Sequence, residues 1–169
     1  FVRIDRMAAE PHFTFRCRDR LTYSLVLLHH GDRLVLQGKP MDIVCNHPCI
    51  IVLDGCLYFV REIDGKKLIP FRDKEQMLIP VGMEKKYFST FVRNTLRDFD
   101  AVTEGFSVED LEPAKRIELV LEQGINQQPV WVLYFWYNEQ RIAHDSPLRR
   151  FVSYSGNETS HTFKRFQRD

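Results

Sequence analysis

No GxxxxGK[ST] occurs in this chain; DGKKL has a lysine but neither the glycine spacing nor the hydroxyl that would hold a nucleotide's magnesium, so these residues do not bind ATP by a P-loop. HExxH, GxSxG and GxGxxG are missing as well, which removes the common metalloprotease, hydrolase and dinucleotide signatures together. Long apolar runs are also lacking: VWVLYFWY is among the longest at about eight residues, where a membrane-crossing helix needs about 20. No basic-then-apolar leader opens the chain, so it reads as cytosolic. The net charge is only +1, so no bulk field would hold the chain to nucleic acid or an anionic membrane. It begins at Phe1 and stops at FKRFQRD, which suggests a piece of a longer polypeptide.

What is present suits a packed fold. The 169 residues are 44% hydrophobic and 12% aromatic, with thirteen Phe, enough large apolar groups to offset the conformational entropy of ordering them. That length fits one compact domain, 1–169, or two lobes, residues 1–80 with β meanders and residues 81–169 with a helix and antiparallel strands. No internal repeat or low-complexity linker divides it. Charge is uneven: Glu104 to Glu122 holds six acids and two bases, whereas Pro147 to Asp169 holds five bases and two acids.

The HFTFRC segment alternates Phe13, Phe15 and Cys17 with polar neighbours, the period of a strand with one buried face. LTYSLVLLHHGDRLVLQG gives two apolar runs joined at Gly31-Asp32, a hairpin signal, and CIIVL, CLYFVREI and KKLIPF form a meander turning at Asp54-Gly55 and Asp64-Gly65. After Pro80 the period changes. Phe88, Phe91, Val92, Leu96 and Phe99 recur at helical spacing, predicting an amphipathic helix from about Glu84 to Asp98 with its Phe stripe on a sheet. SVEDLEP carries a helix-start signal at Ser107 that Pro113 cuts short. RIELVLEQ alternates Ile117, Leu119 and Leu121 with polar positions, a strand with one wet face. VWVLYFWY is apolar on both faces, which fits either a central covered strand or one whose second face meets another domain; Trp131, Leu133, Phe135 and Trp136 are its candidate docking residues. The fold class is therefore α+β, mainly antiparallel β meanders and hairpins with one amphipathic helix packed on a sheet.

The stretch VCNHPCIIVLDGC places three of the four cysteines beside a histidine and invites a zinc reading. With the turn at Asp54-Gly55, however, Leu53 faces Cys56 and Cys49 lies about 13 Å further along its strand at roughly 3.3 Å per residue. Two sulfurs on one zinc lie within about 4 Å of each other. Cys49 and Cys56 therefore share neither metal nor disulfide, and no metal or other cofactor is expected. His29-His30 are strand neighbours whose side chains should point to opposite faces, and His144-Asp145 precedes Ser-Pro in a polar loop, so both pairs read as structural rather than catalytic. At the basic end, Arg149, Arg150, Lys164, Arg165 and Arg168 interleave with Phe151, Tyr154, Phe163 and Phe166. This pattern suits either a phosphate-tracking surface or an amphipathic strand with solvated cations.

The order CLYFVREIDGKKLIPF, EKKYFSTFVRNTLRDFDAV and RIELVLEQGINQQPVWVLYFWYNEQRI resembles the region upstream of the motor in bacterial Swi/Snf-type helicase-like, DNA-dependent ATPases. The family's Tyr-containing strand, helix, aromatic-x-Tyr strand and exit correspond here to Tyr58, Phe91 to Leu96, Phe135 with Tyr137, and Arg165 to Asp169, and HFTFRC through LVLQG is similar to its paired β segment. The resemblance implies a non-catalytic accessory domain whose partner is the two-lobed ATP-binding motor of its own polypeptide. It also implies that the basic end could guide double-stranded DNA toward that motor. Two other readings stay open: a stand-alone protein-interaction module using hairpin edges or the helix, and a small hydrolase whose site the fold assembles.

Overall fold

A computed structural model describes residues 3–148, 150–157 and 160–168, with side chains from residue 8 onward. The chain is α+β, mostly strand with one helix. Its first half comprises β1 (Arg3–Cys17), β2 (Leu21–His29), β3 (Asp32–Leu34), β4 (Met41–Cys45), β5 (Cys49–Leu53), β6 (Cys56–Val60) and the short β7 (Met77–Leu78). One helix follows, here α1, built from Glu84–Tyr87, a π-helical turn Phe88–Val92, and Arg93–Asp98. Then come β8 (Ala101–Glu104), β9 (Ser107–Asp110), β10 (Lys115–Gln123), β11 (Pro129–Tyr137), β12 (Gln140–Ala143), β13 (Arg150–Gly156) and β14 (His161–Gln167). No helix among the described residues is long and apolar enough to cross a membrane.

Strand β1 organises the larger sheet, ordered β3-β2-β1-β6-β5-β4 with β7 on β2 and β8 on β1. Its first part lies parallel to β6, and from Glu10 to Cys17 it pairs antiparallel with β2 while β8 runs parallel on its other side. Two smaller sheets, β10-β11-β12 and β13-β14-β9, complete the fold. Helix α1 buries Phe88, Val92, Thr95 and Leu96, and Phe91 meets Phe13, Phe15 and Tyr23 edge-on or tilted. This is the stripe the sequence periodicity marks. Ser89 and Thr90 both donate their hydroxyls to the Lys86 carbonyl, at 3.1 and 2.6 Å, competing with the regular ladder where the π turn forms. The main core crosses residue 80: Phe13, Phe15, Ile51 and Val60 share it with Phe88, Leu96 and Phe163.

The hairpin at Asp54-Gly55 forms as expected, both residues at positive φ and Leu53 paired with Cys56. Cys49 pairs with Val60 at the far end, so the register itself separates the two thiols. Four sequence expectations differ. The first turn uses His30-Gly31, one residue before Gly31-Asp32, because His29 pairs with Asp32 and both central residues take positive φ. KKLIPF is not a strand: Gly65–Lys67 and Ile69–Phe71 are 3-10 turns, with the Asp64 carboxylate capping the Lys66 amide at 2.9 Å and Pro70 unable to donate to a ladder. Gly65 is needed there because its backbone lies against Asn46, not for a hairpin turn. Ser107 opens β9 rather than a helix, since Val108 packs on the core and β14 offers a parallel edge to pair with.

Gly105 follows β8 at the point where the chain passes the end of β1. Its φ is +83°, and a Cβ there would sit 1.6 Å from the Cys17 carbonyl oxygen. Gly105→Ala therefore combines a backbone clash with a left-handed strain and should destabilise the fold by about 2–4 kcal/mol, read as a lowered midpoint in urea unfolding; an unchanged midpoint would refute this packing.

Candidate docking face

Strands β10 and β11 pair without a bulge over their whole length, from Lys115 opposite Tyr137 to Gln123 opposite Pro129. Side chains alternate across a strand, so Ile117, Leu119 and Leu121 share one face with Phe135, Leu133 and Trp131 directly opposite them. At the base of the hairpin the β11 and β12 side of this face is covered. Phe135, Tyr137 and Ile142 pack with Phe166 and Phe151, and the Arg168 guanidinium lies 5.4 Å from the Phe135 ring centre. Further out it is not: β12 pairs only with Tyr134 to Tyr137, so the distal half is a two-stranded ribbon. There Leu119, Leu121 and Trp131 are 59%, 54% and 64% exposed and Ile125 at the tip is fully exposed, while Ile117, opposite Phe135 at the edge of the base, is 68% exposed.

This inverts one sequence expectation. The alternation in RIELVLEQ was expected to mark Glu118 and Glu122 as the wet face, yet it is the apolar face that is open. The polar face instead closes on itself. Glu118 accepts from Trp136 Nε1 at 2.7 Å and from Arg141 Nε at 3.0 Å, Glu122 accepts from the Tyr134 hydroxyl at 2.8 Å, and the Arg141 guanidinium lies 3.6 Å from the Tyr134 ring centre. Arg116 lies 4.8 Å from the Trp136 ring centre on the same side. Hydrogen bonds to the ionised form hold the Glu118 carboxyl below the ordinary range. Of the four candidate docking residues, Trp131, Leu133 and Phe135 thus share the apolar face, and Trp136 belongs to the opposite one.

The basic residues do not form one exposed stripe. Arg165 is held bidentately by Asp110, at 2.6 and 2.9 Å. Arg150 donates to the Phe99 carbonyl at 3.1 Å and pairs with Asp100 at 3.0 Å. Arg168 donates to the carbonyls of His144 and Ser146, at 2.6 and 3.0 Å, pinning the loop after β12. Lys164 is exposed, and Arg149 lies outside the described residues.

Other reactive groups are placed for structure. His30 leaves the strand at φ 48° and turns its ring to 4.1 Å from that of His29, so the expectation of opposite faces fails; His29 Nδ1 is occupied in donating to the Ala8 carbonyl at 3.0 Å. His144 and Asp145 form a turn. Burial raises the Cys17 thiol and pushes Cys49 up to about 11, which keeps both in the poorly nucleophilic thiol form. A cleft of about 440 Å³ is bordered by Glu10, His12, Arg61, Glu62, Asp98 and Asp100. Its acids are largely committed, Glu10 to Arg61, Asp98 to Arg97 and Asp100 to Arg150. Among the described residues no group of three or more His, Cys, Asp or Glu side chains is placed to hold a metal ion.

Comparison of the chain with family models, curated proteins and solved structures gave no match.

His161 stacks on Phe88, ring centres 3.9 Å apart, and shares a 2.8 Å hydrogen bond with the Tyr154 hydroxyl. Burial lowers its pKa, partly opposed by Glu84. The unfolded chain then takes up the proton first, so this contribution is complete above about pH 6.5 and lost as pH falls from there through the depressed value. The Glu104, Asp110 and Glu118 carboxyls, held low by their hydrogen-bond partners, lose theirs only in a more acid window. Thermal midpoints measured from pH 7 to 5 should fall in the native protein and fall less in His161→Gln; equal slopes would remove His161 from the pH response. Arg165→Ala should cost about 0.5–1 kcal/mol of stability, as expected for a partly exposed bidentate pair, and leave the salt dependence of any DNA binding unchanged. A shallower salt slope with unchanged stability would instead make Arg165 a phosphate contact.

Proposed function

We propose that this chain is a non-catalytic accessory domain that docks through the β10–β11 hairpin onto the motor lobes of a Swi/Snf-type, DNA-dependent ATPase carried by the same polypeptide. The supporting observation is the open apolar face of Ile117, Leu119, Leu121 and Trp131, which runs from the edge of the base onto a ribbon with no third strand. A two-stranded ribbon is marginal in water by itself, and a contiguous apolar patch on an extended arm is the usual mark of a contact surface. Trp131 is the natural anchor, because a large ring entering a pocket removes the most apolar area from water at little conformational cost.

The partner follows from the resemblance to the pre-motor region of that family, and the charge around the hairpin suits it. Glu109 and Glu112 are exposed on the segment leading into β10, so a partner whose apolar pocket has a basic rim fits, as a surface that binds DNA would. In this reading duplex DNA is left to the motor, because Arg150, Arg165 and Arg168 are engaged by carboxylates and carbonyls of this chain.

A photo-crosslinking amino acid at position 131 of the intact native protein tests the assignment. Illumination should join position 131 to peptides of a motor lobe, and Leu119→Asp should abolish the adduct. A native polypeptide without a motor, or an adduct only with unrelated proteins, would overturn it.

A further inference from the structure

We propose that two copies of this chain associate through the free edge of β10, antiparallel about a two-fold axis at Leu119, into one continuous sheet. The inference uses the backbone edge rather than the apolar face, so it does not depend on the docking reading above.

The direction of the free hydrogen-bonding groups comes from the ends of the β10–β11 ladder. Gly124 N donates to the Gln128 carbonyl at 2.8 Å and Asn138 N donates to the Ala114 carbonyl at 2.9 Å. The even-numbered residues of β10 therefore form the hydrogen-bonded pairs with β11, and Ile117, Leu119 and Leu121 turn both N–H and C=O away from it. On that side β10 is the sheet edge. It is nine residues long, without proline or bulge, and of its outward-turned residues only Lys115 at its start is charged, so the stretch from Ile117 to Leu121 lacks the usual devices that protect an edge strand.

An incoming strand must present its own outward-turned residues to these. Leu119 opposite its own copy satisfies that condition and places Ile117 opposite Leu121, each such pair exchanging two backbone hydrogen bonds. The same register sets Arg116 opposite Glu122 in a closely spaced non-hydrogen-bonded pair, and two-fold symmetry repeats that ion pair. Shifting by two residues in one direction puts Glu118 opposite Glu122; in the other it puts Glu118 opposite its own copy. Parallel pairing brings like charges side by side. Charge and hydrogen-bond parity thus select the register centred on Leu119, and the joined sheet would present the two Trp131-bearing faces on one side.

Sedimentation of the intact protein over about 1–100 μM tests this. The expected result is a concentration-dependent dimer that Arg116→Glu and Glu122→Arg each weaken about tenfold or more, and that the double variant Arg116→Glu/Glu122→Arg restores. These two residues make no ion pair with each other within one chain, so recovery reports pairing between copies. Leu119→Pro removes an N–H that points away from β11 and should abolish the dimer with the thermal midpoint preserved. A monomer throughout the range, single variants that dimerise normally, a double variant that fails to recover, or a dimer that survives Leu119→Pro would each overturn the proposal.

Discussion

Tyr137, Ile142 and Phe166 hold the β10–β11 arm to the rest of the molecule. Tyr137 and Phe166 stack at 5.4 Å and Phe151 and Phe166 at 5.0 Å, so three sheet segments meet on one ring. Arg168 adds a polar clamp by donating to the carbonyls after β12. Everything beyond this anchor depends on it, because the ribbon from Leu133 outward has no third strand and no layer above it. A rigid base with an uncovered tip can present an apolar face at a fixed distance from the core without burying that face in its own fold.

The two faces of the arm are satisfied by different means. On one, Glu118 and Glu122 bind Trp136, Tyr134 and Arg141, so these charges stabilise the ribbon internally. On the other, Ile117, Leu119, Leu121 and Trp131 are each more than half exposed to water. Burial of apolar area is therefore the driving force this surface can offer, at roughly 25 cal/mol per Å² removed from water. The main core, by contrast, is closed: Phe13, Phe15, Phe88, Leu96 and Phe163 are almost wholly buried between helix and sheets.

The helix was legible because Phe88, Phe91, Val92, Leu96 and Phe99 mix steps of three and four, which a strand's period of two cannot keep on one face, and the Asp54-Gly55 hairpin because only a few residue pairs accept two positive φ values. What was not legible arose from pairing between distant segments. Ser107 looks like a helix start until β14, more than fifty residues later, supplies a parallel edge. Alternation in β10 identifies two faces but not which of them the fold covers; that depends on β12 being only four residues long. The basic end reads as a phosphate-tracking stripe because Arg150 and Arg165 are far in sequence from Asp100 and Asp110, which occupy them in space. The partners of those arginines are visible only once the chain is folded.

If a partner covers the apolar face of the hairpin in the native assembly, Trp131 is shielded from water there. Fluorine NMR of the intact native protein labelled with 5-fluorotryptophan, with Trp131 assigned by substitution, measures this directly through the shift between H₂O and D₂O. A covered face gives a Trp131 resonance insensitive to the solvent isotope. A full isotope shift, matching free 5-fluorotryptophan in water, would contradict it.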